Sequence, residues 1–281
     1  MAEQVEQVSE EQFSFERFAS HPFFRQVNAW LVSHSHIPAQ GAVVDLACGP
    51  GAVTELILDE LDESLPGTCV YAIDPSLSAL TKARQRIHSH VVHFIQGTAE
   101  RLATLVPPVD RVVFANAAHL IADKAAAFEQ IFRSLRPGGI VAFNTTFFEG
   151  AYPAGTPRFY KLWVLRAMRW LVTQGHSVKR GARATAMQWL TVDQYRDLLR
   201  SVGFADPVVA LHEKPLSMES LQDIGSFSMF IEGALPGVPL DIGAEALRRG
   251  AEEAFAELKL SHVPRNWLQV IAQRPLNPTA G

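Results

Sequence analysis

The chain has 281 residues, 48% of them hydrophobic and 19% charged, with a formal charge of −4. That length suits one large α/β domain with a cap, and the composition argues against disorder. The negative balance argues against general nucleic-acid binding, which needs a positive field. The two cysteines, Cys48 and Cys69, lie in apolar runs with neither metal-ligand nor disulfide spacing, as reduced core thiols of a cytoplasmic protein would. The opening Met-Ala-Glu-Gln-Val-Glu-Gln lacks the apolar centre of a signal peptide, and no run is apolar enough to predict a transmembrane segment.

Residues 1–39 read as a helical lid. Phe13, Phe15, Phe18, Phe23, Phe24, Val27, Trp30 and Leu31 recur at helical spacing, with a break at Pro22. From 40 to 146, short β-branched runs alternate with helical stretches, the mark of βαβ units on a parallel sheet. The predicted strands are Ala42–Leu46, Cys69–Ile73, Val91–Gln96, Arg111–Ala115 and Ile140–Thr145. The predicted helices are Ala52–Leu61, Leu77–His88 and Ala125–Leu135, with Pro137-Gly138-Gly139 as the turn that launches the fifth strand. Residues 147–190 form a cap insertion, rich in aromatic and basic residues. In 191–281, Thr191–Val202 reads as a helix stopped by Gly203, and Val208–Leu211 and Trp267–Ala272 as an antiparallel pair finishing the sheet. Residues 218–260 form a helical insertion interrupted around Pro236–Pro239. The expectation is one domain over 1–281, with a Rossmann-like doubly wound sheet of about seven strands, mostly parallel, an antiparallel C-terminal strand and a helical cap.

The run Val43-Val44-Asp45-Leu46-Ala47-Cys48-Gly49-Pro50-Gly51 carries a strand into a glycine-rich turn and then a helix, which suits close backbone approach to a ligand. Such a turn also serves dinucleotides. Here, however, the third fingerprint position is Thr54 or Glu55, which counts against them. Asp74 ends the second strand, where a carboxylate accepts from both ribose hydroxyls of either cofactor type; Asp74 or Ser76 can equally cap the next helix.

These segments resemble the first two motifs of the small-molecule class I S-adenosylmethionine-dependent methyltransferases. Gln96-Gly97-Thr98-Ala99-Glu100 is similar to the family's adenine-contacting segment, Asp110–Asn116 to its fourth strand, and Leu135–Ile140 to the turn before its fifth. The resemblance implies S-adenosylmethionine as cofactor and S-adenosylhomocysteine as product. The implied cofactor contacts are Asp45, Ala47, Cys48, Gly49, Gly51, Asp74, Pro75, Gly97, Thr98, Ala99, Ala115 and Asn116. Three departures stand out. Ala47 replaces the family's first glycine, and Thr98 stands where an aspartate often meets the adenine amino group. Asn116-Ala117-Ala118-His119 replaces the signature of amide and nucleobase N-methyltransferases, which points away from DNA and protein amides.

Methyl transfer from a sulfonium needs alignment and exclusion of water more than acid–base chemistry, so catalytic residues are weakly encoded. Candidate bases are His119, beyond the fourth strand, Glu149, beyond the fifth, and His176 and Glu232 in the cap and insertion. A helical wheel over 158–172 sets Arg158, Lys161, Arg166 and Arg169 on one arc of about 140°, followed by Lys179, Arg180 and Arg183. No acidic residue lies between Glu149 and Asp193. Either this is a solvated basic face, or it recognises an anionic group on an apolar secondary-metabolite or lipid-like acceptor, free or carrier-bound. Tyr152, Tyr160, Arg166, Arg169 and Phe230 are the candidate substrate contacts, with Met218 and Met229 as further lining, and the aromatics Phe13, Phe15 and Phe18 either cover the cofactor or pack in the core. A monomer or homodimer is expected. Aminopropyl transfer, a dinucleotide oxidoreductase and a cofactor-binding module without turnover are the alternatives.

Overall fold

The computed structural model describes residues 15–178 and 189–276. Phe13, Lys179, Arg180 and Arg183 lie outside them. The first helices are α1 (Glu16–Ala19) and α2 (Pro22–His34), the break falling at Ser20-His21 so that Pro22 opens α2, where its missing N–H costs nothing. Strand β1 (Ala42–Leu46) leads to α3 (Ala52–Leu58), β2 (Cys69–Asp74) to α4 (Leu77–Arg86), and β3 (Val92–Gln96) to a 3₁₀ turn (Ala99–Arg101) and α5 (Leu102–Leu105). Then come β4 (Val109–Ala115), a 3₁₀ turn (Ala118–Leu120), α6 (Lys124–Ser134), β5 (Leu135–Thr145), α7 (Pro157–Thr173) and α8 (Val192–Val202). The chain continues through β6 (Val208–Leu216), α9 (Met218–Gly225), α10 (Ser228–Ala234), α11 (Leu240–Leu258) and β7 (Val263–Gln273). Among the described residues no helix is long and apolar enough to cross a membrane.

Seven strands form one sheet in the order β3-β2-β1-β4-β5-β7-β6. Strands β1 through β5 pair in parallel, and β7 runs antiparallel to β5 from Ile140↔Gln273 to Thr145↔Leu268. The chain reverses its winding between β1 and β4. In open α/β sheets the crevice at the carboxyl ends of strands at such a switch point takes the ligand. All five residues of β1 are buried, as expected of a parallel strand covered on both faces.

The fifth strand departs from the sequence expectation. Pro137-Gly138-Gly139 does not precede β5 but lies within it: Val109 pairs with Leu135, and the next pair, Arg111 with Ile140, follows an irregularity. Gly138 adopts φ +79° and its N–H donates to Arg274 O at 2.9 Å. The glycines thus act as a bulge that resumes the ladder, with Leu135 already bonded in the sheet.

The packing also divides the chain more finely than the single domain expected. Residues 25–149, 189–212 and 267–276 form one compact unit, holding the sheet core in which Leu31, Val43, Ile57, Val70, Val113 and Ala142 meet. Residues 15–24, 150–178 and 213–266 form the other. In this second unit α11 buries Gly243, Ala246, Gly250, Ala251 and Ala254, a stripe of small residues at i, i+3/i+4 spacing, with Leu247 among them. The stripe lets α7 lie close: the Trp163 indole donates to Leu247 O at 2.6 Å, and a Cβ on Gly250 would stand 2.6 Å from Trp163 O and 2.8 Å from Ala167 N. Both are main-chain atoms that cannot rotate away. Gly250→Ala is therefore expected to destabilise the protein by roughly 1–2 kcal/mol net, overpacking outweighing the better helix propensity of alanine. A thermal unfolding midpoint at or above that of the parent protein would disprove this.

In the same unit, Phe15 and Phe18 pack with Phe23, Phe24 and Phe227 at ring separations of 5.2–6.3 Å.

Candidate active site

The loop leaving β1 reverses sharply. Ala47, Gly49 and Gly51 all take left-handed backbone, with φ of +57°, +54° and +88°. For Ala47 that conformation costs on the order of 1 kcal/mol, so neighbouring bonds must hold it. They come from β2: Cys48 N–H donates to Ile73 O at 3.0 Å, and Gly49 N–H donates to Asp74 Oδ2 at 2.9 Å. A Cβ on Gly49 would meet nothing within 4 Å, so open space lies beside this backbone. On Gly51 a Cβ would crowd Ile87 at 3.2 Å.

Asp74 is the hub. Its Oδ1 accepts from Ser76 N–H at 2.9 Å while Oδ2 holds Gly49. A carboxylate offers about four acceptor positions, so each oxygen keeps capacity for a ligand hydroxyl. The helix cap itself is Ser76, which accepts from Ala79 N–H, leaving Asp74 for the loop and ligand. Beneath the loop, Asp45 is buried and accepts from Thr54 Oγ1 at 2.6 Å. Burial pushes its carboxyl up to about 7 against the pull of the Thr54 bond, with the Asp74 charge adding to the rise. Thr54, the residue that replaces a third glycine, is what anchors Asp45. Burial also drives the Cys48 thiol far above its ordinary range, helped by Asp45 and Asp74, which leaves it protonated and inert.

The ends of the neighbouring strands complete the crevice. Gly97 N–H donates to Asp74 O at 3.2 Å, and a Cβ there would stand 2.3 Å from Leu105, whose side chain would have to move. Thr98 is exposed and its hydroxyl makes no capping bond. Leu77, which sequence reasoning did not single out, is 59% exposed three residues after Asp74.

At the end of β4, Asn116 takes φ +54° and is tied on every side. Its N–H donates to Asn144 Oδ1 at 2.9 Å, its Nδ2 donates to Asn28 Oδ1 at 2.9 Å, and its Oδ1 accepts from the Trp267 indole at 3.2 Å. Asn144 Nδ2 also donates to Asn28 Oδ1, at 3.1 Å. Asn28 and Asn144 are fully buried, and neither was anticipated.

Comparison with known proteins agrees with this geometry. A family model described as a methyltransferase domain matches residues 43–139, from β1 to the bulge of β5. Over those residues the chain carries a methyltransferase domain. A trans-aconitate 2-methyltransferase of Acidovorax sp. is 37% identical to it over 112 residues, 40% of this chain and 39% of that enzyme. The chain therefore matches only about two fifths of the length of such relatives. The putative methyltransferase YqeM of Bacillus subtilis is 22% identical over 213 residues, 68% of this chain and 83% of its own. Among solved structures, a Haemonchus contortus phosphoethanolamine N-methyltransferase in complex with S-adenosylhomocysteine shares the fold. Its TM-score is 0.55 at 16% identity, over 95% of this chain and 57% of that one.

The residues of this crevice fit S-adenosylmethionine, the cofactor that the sequence resemblance implies. Asp74 can take the ribose hydroxyls, the open side of Gly49 admits close approach, and Leu77 and Thr98 offer an apolar face and a hydroxyl to the base. Of the candidate bases in this domain, His119 is a buried ring. It is 4% exposed, with Nδ1 3.1 Å from Thr145 Oγ1 and its ring stacked 4.3 Å from Phe147. Glu149 is exposed, and its backbone bridges to Thr191.

The other candidates lie in the second unit. His176 is half-buried after α7, and Glu232 is exposed on α10. Arg166 is not a free cation: it pairs with Glu257 and, at 3.8 Å, with Glu253, both from α11. Arg169 is exposed, as is Met218, while Met229 is half-buried. Phe230 stacks on Trp163 at 5.3 Å, and Tyr152 on Tyr160 at 4.0 Å.

Proposed function

We propose that this chain transfers a methyl group from S-adenosylmethionine to a carboxylate oxygen of a small acceptor with an apolar body. The observation that carries the reading is the Gly49–Asp74–Ser76 arrangement, in which a carboxylate locks a left-handed loop and keeps acceptor capacity for two hydroxyls. Bound S-adenosylmethionine supplies an electrophilic methyl group on a sulfonium. This chain's residues supply position: Asp74 orients the ribose, Gly49 lets the backbone come close, and the Asn28–Asn144–Asn116 knot holds the end of β4 rigid. Such alignment contributes on the order of 7–11 kcal/mol, more than a general base does.

The choice of a carboxylate follows from the bases. With an ordinary pKa of about 4, a carboxylate is ionised at neutral pH and attacks without losing a proton. No general base is then required, in keeping with exposed Glu149 and Glu232 and with a His119 ring engaged by Thr145 and Phe147. The trans-aconitate relatives are named for a carboxylate acceptor, which supports the same class.

Purified protein given methyl-labelled S-adenosylmethionine and a panel of aliphatic mono-, di- and tricarboxylates is expected to release S-adenosylhomocysteine and form alkali-labile labelled esters. Label resistant to alkali, or transferred equally to the matching alcohols, defeats the carboxylate reading. Cofactor bound but never consumed would mean a different activity on this fold. One neighbour at 14% identity and TM-score 0.55, SpnF, is described as a [4+2]-cyclase.

A further inference from the structure

Residues 150–178 hold Arg158, Lys161, Arg166 and Arg169 and no aspartate or glutamate, in a chain whose formal charge is −4. All four cations lie on α7, and its packing sorts them. The helix buries Phe159, Tyr160, Trp163, Ala167 and Leu171, which sets its exposed face on the opposite side. Arg166 stands at the margin of that face, paired with Glu253 and Glu257 of α11. Arg158, Lys161 and Arg169 are exposed, and among the described residues none of them meets a carboxylate within ion-pair reach.

The same face also carries apolar side chains. Leu165 is 54% exposed and Val172 70%, with Leu162 and Met168 half-buried beside them. At helical spacing these four share an arc of about 120° with the three unpaired cations. Leu165 forms a ridge between two open hollows. One is lined by Tyr152, Tyr160, Val164 and Met168, the other by Arg158, Lys161, Leu162 and Glu257. The Glu257 carboxylate is the one already engaged by Arg166.

A merely solvated basic face gains nothing from a leucine and a valine left in water among its cations. Cations interleaved with apolar groups along 17 residues, about 25 Å of helix, match a surface that is anionic outside and hydrocarbon beneath. Lysine and arginine stems lie along the apolar layer while their heads reach phosphates. A ridge needs no preformed socket in a lipid interface, which yields to it.

We propose that the exposed face of α7 is a docking surface for an anionic phospholipid bilayer. Leu165 and Val172 enter the headgroup layer, and Arg158, Lys161 and Arg169 meet lipid phosphates. The inference is independent of the methyl acceptor, because docking is read without turnover.

The test is co-sedimentation of the full chain with vesicles of phosphatidylcholine alone and of phosphatidylcholine with phosphatidylglycerol in a two-to-one ratio. Two variants accompany the parent: Leu165→Gln with Val172→Gln, and Arg158→Gln with Lys161→Gln and Arg169→Gln. All five positions are exposed, so unchanged circular dichroism is expected of both. The parent is expected to bind the phosphatidylglycerol vesicles at least tenfold tighter than the neutral ones, with the preference lost in high salt. Removing three cations should weaken that binding about a hundredfold, and removing the two apolar side chains about tenfold. A parent protein that stays in the supernatant with both vesicle types overturns the proposal. So does sedimentation that either variant leaves unchanged. Retention on immobilised poly-glutamate without vesicle binding would mean that the face takes an acidic protein instead, and would overturn it as well.

Discussion

Asp74→Ala is expected to weaken S-adenosylmethionine binding at least a hundredfold in calorimetry, with the circular dichroism of the sheet retained. The carboxylate does two jobs that alanine cannot. It accepts Gly49 N–H and Ser76 N–H, so its loss unties the loop whose left-handed residues need outside support. Its loss also removes the acceptors proposed for two ribose hydroxyls. Hydrogen bonds to a charged group are worth about 1.5–3 kcal/mol each, so losing two accounts for a factor of a hundred or more. Asp74→Asn should fare little better, because its Nδ2 would face either the Gly49 or the Ser76 N–H, donor against donor. Affinity within threefold of the parent in the alanine variant would show that the cofactor is held elsewhere.

What the sequence disclosed follows the physics of each signal. Strand β1 falls where the pattern put it, Ala42–Leu46, because a buried β-branched run bounded by glycine turns permits little else. The helix over Thr191–Val202 is equally plain: Thr191 caps it with a capping box through Gln194, and Gly203 ends it in left-handed backbone. Helix ends were overrun where charge follows without a breaker. The stretch drawn to Leu61 stops at Leu58, and the one drawn to His88 stops at Arg86 with Ile87 extended. The glycines of β5 read as a turn because a bulge and a turn use the same residues, and only the ladder to Val109 tells them apart.

The site was legible where local and hidden where assembled. The loop at 45–51 and Asp74 announce themselves by spacing along one segment. The knot around Asn116 joins residues 28, 116, 144 and 267, and a lone asparagine in an apolar strand carries no local mark of its partner. The pairing of Arg166 on the basic arc of α7 was hidden for the same reason. The wheel was drawn on one helix, and the carboxylates that answer Arg166 arrive on α11, some ninety residues later.

Asp45 sets an expected pH dependence of stability, and its sign runs opposite to the usual case for an aspartate. The folded carboxyl is raised from 3.8 to about 7, chiefly by burial. Between those values the folded chain keeps a proton that the unfolded chain has released, so raising the pH pulls toward unfolding. The contribution is full below about pH 4 and is lost as pH rises through 7. From pH 5 to pH 8 that erosion amounts to about 2–3 kcal/mol, at roughly 1.4 kcal/mol per pH unit of retained proton. Asp45→Asn removes the titration while leaving an oxygen to accept from Thr54 Oγ1. Urea unfolding is therefore expected to give the two proteins similar stability at pH 5, and the Asn variant the advantage at pH 8. Parallel stability curves across that range would mean that Asp45 is already ionised in the folded protein, with the charge met by something other than Thr54.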